Sequence, residues 1–330
     1  MKKISIYAIL LFTTVILLSS FKNHVQQQPI NDPTEFEILV KYLEENGNFI
    51  NSELAPAIIL APEIKDNVRN KKYLVLDIRS EDWYAYGHIQ NAENVEGPEL
   101  LKYFETKITP ENYDKITIVC YSGQSAAYYA GLLRLAGYNN VYSLKWGMSS
   151  WADEFATNIW KKNSSDAFAN QLETTVNPIP EKTTTPTIST GKTEGKDILK
   201  QRIEEAFAKP YKEFIVKAET VFENPSDYYT VNYVSEDKYN FGHVPGAVRY
   251  QPNSSLSSTA DLYTLPTNKK ILVSCDTGLS AAYAVAYLQV LGYDVYNLGY
   301  GANSYMNTVL KEKGWNGFSS EEIKEYPVVE

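Results

Sequence analysis

The chain repeats itself, and nothing else in the sequence limits its architecture as strongly. Laid against itself at an offset of 155 residues, Cys120 falls on Cys275, Gly123 on Gly278, Ser125 on Ser280, Ala126 on Ala281 and Ala127 on Ala282. Upstream, Gly87-His88 meets Gly242-His243, and Ser80-Glu81-Asp82 meets Ser235-Glu236-Asp237. Downstream, Gly137 meets Gly292 and, after the loss of one residue, Gly147 meets Gly301. The agreement runs over about 70 positions, which marks an internal duplication. Each copy must therefore be the same kind of folding unit, and 330 residues suit two domains of about 150.

Within one copy the pattern alternates between strand and helix. Tyr73 to Ile78 and Lys115 to Cys120 are short apolar runs of the kind that form buried strands. Ser125 to Ala136 carries apolar residues at helical spacing and stops at Gly137, and Val141 to Leu144 is a further strand. The second copy repeats this at Tyr229 to Tyr233, Lys270 to Cys275, Ser280 to Leu291 and Val295 to Leu298. The order predicts an α/β fold in which each copy has a central, mostly parallel sheet flanked by helices. Thr34 and Glu37 can form a capping box for a helix over Glu35 to Glu45, and a matching helix is expected from Asp197 to about Ala208. The domains are then 34–160 and 197–325. Between them, 163–196 is rich in Thr, Pro, Ser and Lys without sustained periodicity, and reads as a partly flexible linker.

Residues 1–21 form a separate element. Lys2 and Lys3 precede an apolar run from Ile4 to Phe21, the pattern of an export signal, and the run is also long enough to serve as an uncleaved membrane anchor. The expectation is an exported protein of the periplasm, touching a membrane only through this segment if it is retained. A net charge of −9 argues against nucleic acid as the main partner, because nothing neutralises phosphates in bulk. Three histidines and no clustered Cys/His pairs leave no metal site to expect, and no cofactor motif is present.

Export gives weight to the two cysteines, because exported proteins tend to pair their thiols or do without them. Each ends a strand and precedes a loop of small residues that feeds a helix. Backbone N–H groups and the positive end of the helix dipole would favour the thiolate, and such a loop can wrap an attached anion. Cysteine held this way is expected to be charged, exposed and cradled, ready to act as a nucleophile.

Gly-His-Ile-Gln-Asn-Ala followed by Cys-Tyr-Ser-Gly-Gln-Ser-Ala, and Gly-His-Val-Pro-Gly-Ala followed by Cys-Asp-Thr-Gly-Leu-Ser-Ala, resemble rhodanese domains, and Asp77-Ile78-Arg79 also fits that pattern. The pair resembles the tandem sulfurtransferases. The resemblance implies two rhodanese-like domains and a reaction in which a loop cysteine, Cys120 or Cys275, takes sulfane sulfur from a donor such as thiosulfate. The resulting persulfide passes it to a thiol or cyanide. It implies binding loops at Tyr121, Ser122, Gly123, Gln124, Ser125 and Ala126, and at Asp276, Thr277, Gly278, Leu279, Ser280 and Ala281.

The loops depart from many single-domain members, which carry an arginine where Ser125 and Ser280 stand; a small hydroxyl there is similar to the tandem thiosulfate and mercaptopyruvate sulfurtransferases. Asp276 should raise the pKa of the thiol beside it and repel an anionic donor. The second copy has Asn232 and Val234 in place of Asp77 and Arg79, and Gly299 in place of Lys145, the nearest basic candidate for a donor. These differences rank Cys120 above Cys275, with Asp77, Arg79 and Lys145 supporting it. Arg79 is expected to pair with a nearby carboxylate rather than with substrate. A low-turnover sulfur carrier or partner-binding module remains open, as does a redox disulfide between the two cysteines. A phosphatase is disfavoured because Ala126 and Ala281 stand where it would need arginine. His88 and His243 are expected to tie a loop to the sheet, and Trp146, Met148 and Trp151 to pack or to wall the pocket.

Overall fold

Alternating side chains decide the layering of each sheet. Leu74 and Leu76 join one apolar cluster while Val75, between them, joins another, as the two-residue period of a strand requires. The same holds for Ile271 and Val273 against Leu272. A strand apolar on both faces must be covered on both, and helices do this here. The computed structural model describes residues 32–330. The proposed signal or anchor at 1–21, and His24, lie outside them.

The first half contains α1 (Glu35–Glu45), β1 (Ile58–Ile59), α2 (Ala61–Asn67), β2 (Tyr73–Asp77), α3 (Glu81–Tyr86), β3 (Glu93–Asn94), α4 (Leu100–Thr106), β4 (Lys115–Val119), α5 (Gln124–Leu135), β5 (Val141–Leu144) and α6 (Asp153–Ala156). The second half repeats the plan with α7 (Gly195–Phe207), β6 (Ile215–Val216), α8 (Ala218–Glu223), β7 (Tyr228–Asn232), α9 (Glu236–Phe241), β8 (Val248–Arg249), β9 (Lys270–Ser274), α10 (Leu279–Val290), β10 (Val295–Leu298) and α11 (Asn303–Lys313). The sheets have the orders β1-β5-β4-β2-β3 and β6-β10-β9-β7-β8, and every neighbouring pair is parallel. The register is equivalent, with Asp77 opposite Val119 and Asn232 opposite Ser274. The chain is thus an α/β protein with two parallel sheets of one topology. Both cysteines stand just past the carboxyl end of a central strand, where open α/β sheets bind ligands.

The expected capping box is present: Thr34 Oγ1 accepts the Glu37 amide at 3.2 Å, and the Glu37 carboxylate accepts the Thr34 amide at 2.8 Å. Helices α5 and α10 are buried on nearly every side and pack on each other, joining the halves in one apolar core. A helix apolar all round belongs in such a position. Gly131 permits the approach, since a Cβ there would lie 3.2 Å from Ala286 Cβ.

The 163–196 segment is irregular and is tied by specific bonds, mostly to the second half and, at Thr190 and Gly191, to Glu35 of α1. Glu173 and His243 exchange backbone hydrogen bonds at 2.9 Å, and the Thr183 amide donates to the Tyr263 carbonyl at 2.7 Å. No helix among the described residues is long and apolar enough to cross a membrane.

Candidate active site

The site begins where β4 ends. Gly123, at φ +89°, turns the chain into α5 and points its amide at Cys120 Sγ, 3.1 Å away; the Ala126 amide lies 3.4 Å from the same sulfur. The second copy matches it: the Gly278 amide is 3.2 Å and the Ala281 amide 3.3 Å from Cys275 Sγ. The αL turn is one that glycine adopts without strain. A second glycine holds each loop from behind. A Cβ on Gly147 would meet the Cys120 carbonyl oxygen at 2.4 Å, and one on Gly301 would meet that of Cys275 at 2.1 Å. The next amides, Met148 and Ala302, donate to those carbonyls at 2.9 and 2.8 Å.

The cradle is as expected, but the exposure is not. Cys120 is 2% and Cys275 4% exposed. Burial pushes both thiols above their usual pKa, because a thiolate loses solvation, and the converging amides only partly offset this. The negative charge of Asp77 raises Cys120 a little further, and Asp276 is the second cause at Cys275. Neither cysteine is in a disulfide.

Around Cys120 the neighbours are aromatic and ionic. Arg79 is fully buried; its Nη2 donates to Asp77 Oδ2 and to the Gly87 carbonyl, each at 2.7 Å, and Phe155 lies 5.0 Å from the guanidinium. Arg79 thus pairs with its neighbouring carboxylate, as the sequence suggested. Tyr121 bonds to Ser80 at 3.2 Å and meets Trp83 edge-on at 5.9 Å. Ser122 Oγ accepts from the Gln124 side chain at 3.1 Å, and the Ser122 carbonyl accepts from Trp160 at 3.0 Å. Gln124 Oε1 reaches the other half and accepts the Tyr300 amide at 2.8 Å.

Around Cys275 the corresponding positions are polar. At the offset of 155, Trp83 and Tyr121 become Lys238 and Asp276, and these form an ion pair. Cys275, Asp276 and Lys238 line a small cavity with Asn232, Val234 and Trp315; its volume is about 10 Å³, room for one water-sized group. Thr277 Oγ1 accepts the Leu279 amide at 3.2 Å, and Leu279 is buried in the shared core. Ser125 and Ser280 are half-buried, and among the described residues neither makes a side-chain hydrogen bond to a cysteine.

Lys145 stands elsewhere than its predicted role required. Its ammonium donates to Asn316 Oδ1 at 2.9 Å, and the Asn316 amide donates to Asp276 Oδ2 at 3.1 Å. It therefore belongs to the polar network of the second loop, with its pKa lowered first by burial. Lys238 was missed in the sequence. Its signal was the one charge change directly after the repeated Ser-Glu-Asp triplet.

The histidines are structural in a way the sequence did not specify. His88 stacks on Tyr84 at 3.8 Å with Nδ1 2.9 Å from the Tyr84 carbonyl; His243 does the same on Tyr239 at the same distances. Each ties a loop to the preceding helix rather than to the sheet. Trp146 and Trp151 are buried packing residues, their indole N–H groups bonded to Glu322 at 2.9 Å and the Pro327 carbonyl at 3.0 Å. Met148 is buried in the same cluster as Trp151. No group of metal-ligating side chains occurs among the described residues.

Residues 60–154 and 230–308 each match the family described as the rhodanese-like domain. A thiosulfate sulfurtransferase, GlpE, of Pseudomonas fluorescens is 32% identical over 106 residues, covering 32% of this chain and 94% of that protein. One from Coxiella burnetii is 29% identical over 96 residues, covering 29% of this chain and 87% of that protein. Among solved structures, SseA of Escherichia coli, described as a 3-mercaptopyruvate sulfotransferase, is 17% identical, with 73% of this chain and 97% of that chain covered at a TM-score of 0.26.

Proposed function

This chain belongs to the rhodanese family, and from that membership we propose that it is a sulfurtransferase working through a persulfide on a loop cysteine. The observation that carries the reading is the pair of amides within 3.4 Å of each sulfur, supplied twice by the same turn into a helix. Such a nest stabilises negative charge on the thiolate and on the outer sulfur of a persulfide. The thiolate attacks the outer sulfur of thiosulfate and forms a new S–S bond. The old S–S bond breaks, and its electron pair leaves with sulfite. A thiolate or cyanide then attacks the outer sulfur of the persulfide, takes it, and returns the cysteine thiolate. No external oxidant or reductant is consumed.

The surroundings of Cys275 support it as the working site, against the order that the loop charges suggest. It opens on a cavity for one added atom, and Lys238 stands at that cavity, its charge available to an anionic donor once Asp276 releases it. At the equivalent positions of the first half stand the buried Asp77–Arg79 pair and Trp83 in place of Asn232, Val234 and Lys238. We assign the protein to the exported class on the basic start and apolar run of residues 1–21. The burial of both sulfurs favours one second reading, a carrier that loads sulfur but turns over slowly.

The test is intact-mass measurement after thiosulfate, then after cyanide, on wild type, Cys120→Ser and Cys275→Ser. The expected result is one added sulfur on wild type and Cys120→Ser, removed by cyanide, with Cys275→Ser at least tenfold slower to load. A wild type of unchanged mass sinks the proposal. Sulfur that loads but stays in cyanide identifies the carrier.

A further inference from the structure

One cavity holds a buried cation with no counter-charge within 4 Å. It has a volume of about 720 Å³ and lies between α1, the end of α5 and α7, away from both cysteine loops. Arg134 lines it, yet is only 5% exposed. Its Nε donates to the Val141 carbonyl at 2.7 Å, and its guanidinium sits between the rings of Phe49 and Tyr142, at 5.4 and 4.7 Å. Among the described residues, no acceptor binds its terminal Nη groups and no carboxylate lies within 4 Å of it. A guanidinium has five N–H donors, so four are left to the cavity. Stacking on aromatic faces steadies the charge but supplies neither a counter-ion nor acceptors, so the terminal donors are left to water or to a ligand in the cavity.

The duplication supplies an internal control. At the offset of 155, Arg134 becomes Gln289, whose neutral Nε2 points at the Val295 carbonyl, the counterpart of Val141, at 3.4 Å. The tie between helix and strand therefore needs no charge. The arginine that lines the corresponding groove of the second half, Arg202, is paired with Glu205 and donates to the carbonyls of Gln289 and Val290 at 2.8 and 2.9 Å. Only the first half presents its arginine unpaired to an open cavity. Lys196 and Lys200 also line that cavity, against one carboxylate, Glu105, and the walls include Leu43, Leu101, Leu199 and Ile203.

We propose that this cavity is a binding site for a small organic carboxylate with an apolar body, its head group held in the fork of Arg134. A planar carboxylate accepts two parallel N–H bonds from a guanidinium, a charge-assisted pair roughly twice as strong as neutral hydrogen bonds. The volume falls within the range of small-molecule sites, and the apolar walls suit an alkyl or aryl body. The site is independent of the sulfur chemistry.

Calorimetric titration of the whole chain with octanoate tests this, with 1-octanol as the uncharged probe of equal length. Expected are saturable binding of one octanoate, binding of octanol at least tenfold weaker, and at least a tenfold loss for octanoate in Arg134→Gln, the residue the second half carries. Leu54→Asp, at a 64% exposed wall residue, should weaken octanoate several-fold and decides the matter should Arg134→Gln not fold. The proposal is overturned if octanoate does not saturate, if octanol binds as well, or if a folded Arg134→Gln, or in its absence Leu54→Asp, leaves octanoate binding unchanged.

Discussion

At the scale of single residues, two forces act in opposition on each cysteine. Amides and a helix terminus favour the thiolate; removal from water disfavours it, and here removal wins. A thiol raised above its unfolded pKa adds stability that is complete below the unfolded value and is lost as pH climbs through the folded one. Reactivity follows the opposite sense: alkylation should keep rising with pH beyond the ordinary thiol range. Asp276 contributes to the rise at Cys275. In a Cys120→Ser background, Asp276→Asn should therefore speed the reaction of Cys275 with iodoacetamide at pH 8. An unchanged or slower rate would show that the Asp276 charge is fully neutralised by Lys238. The loop aspartate that the sequence presents as a handicap is, in the folded chain, half of an ion pair at the mouth of a cavity.

At the scale of elements, α5 and α10 do two jobs at once. Their first turns hold the sulfurs, and their bodies form the seam between the halves. Buried tyrosines stitch that seam: Tyr128 bonds to Gln289 at 2.6 Å, and Tyr283 to the Ala57 carbonyl at 2.5 Å. The abundance of tyrosine has no meaning in the sequence; its role depends on partners more than 150 positions away. The close crossing at Gly131 leads to a direct expectation. Gly131→Val, which pushes into Ala286 and Tyr283, should cost about 1–3 kcal/mol in urea unfolding. An unmoved midpoint would mean that the helices separate freely.

At the scale of the molecule, the halves exchange arms. The segment after the first half runs to the second, where Leu172 covers Gly242 and Glu173 pairs with His243. The tail after the second half returns to the first, where Val328 covers Gly87 and Val329 pairs with His88. The repeated Gly-His dipeptide is the receptor for these arms. Glycine leaves room, since a Cβ on Gly87 or Gly242 would stand 3.0 Å from the covering side chain, and histidine supplies the backbone pairing. Val328→Asp should therefore lower stability by roughly 1–3 kcal/mol and perturb the fluorescence of nearby Trp151. Unchanged unfolding and emission would show that the tail contributes nothing to the first half.

The sequence by itself determined the duplication, the parallel α/β plan, the place of each cysteine at a strand end and the capped first helix, because periodicity, glycine stops and capping residues act within a few positions of one another. The two-residue strands β1, β3, β6 and β8 carry too little pattern to be read that way. Only the tertiary structure decided that the sulfurs are buried, that Lys145 serves the second loop, that Lys238 answers Asp276, and that Arg134 is left unpaired. Solvation and charge pairing are set by residues brought together from distant parts of the chain, and linear order does not record those distances.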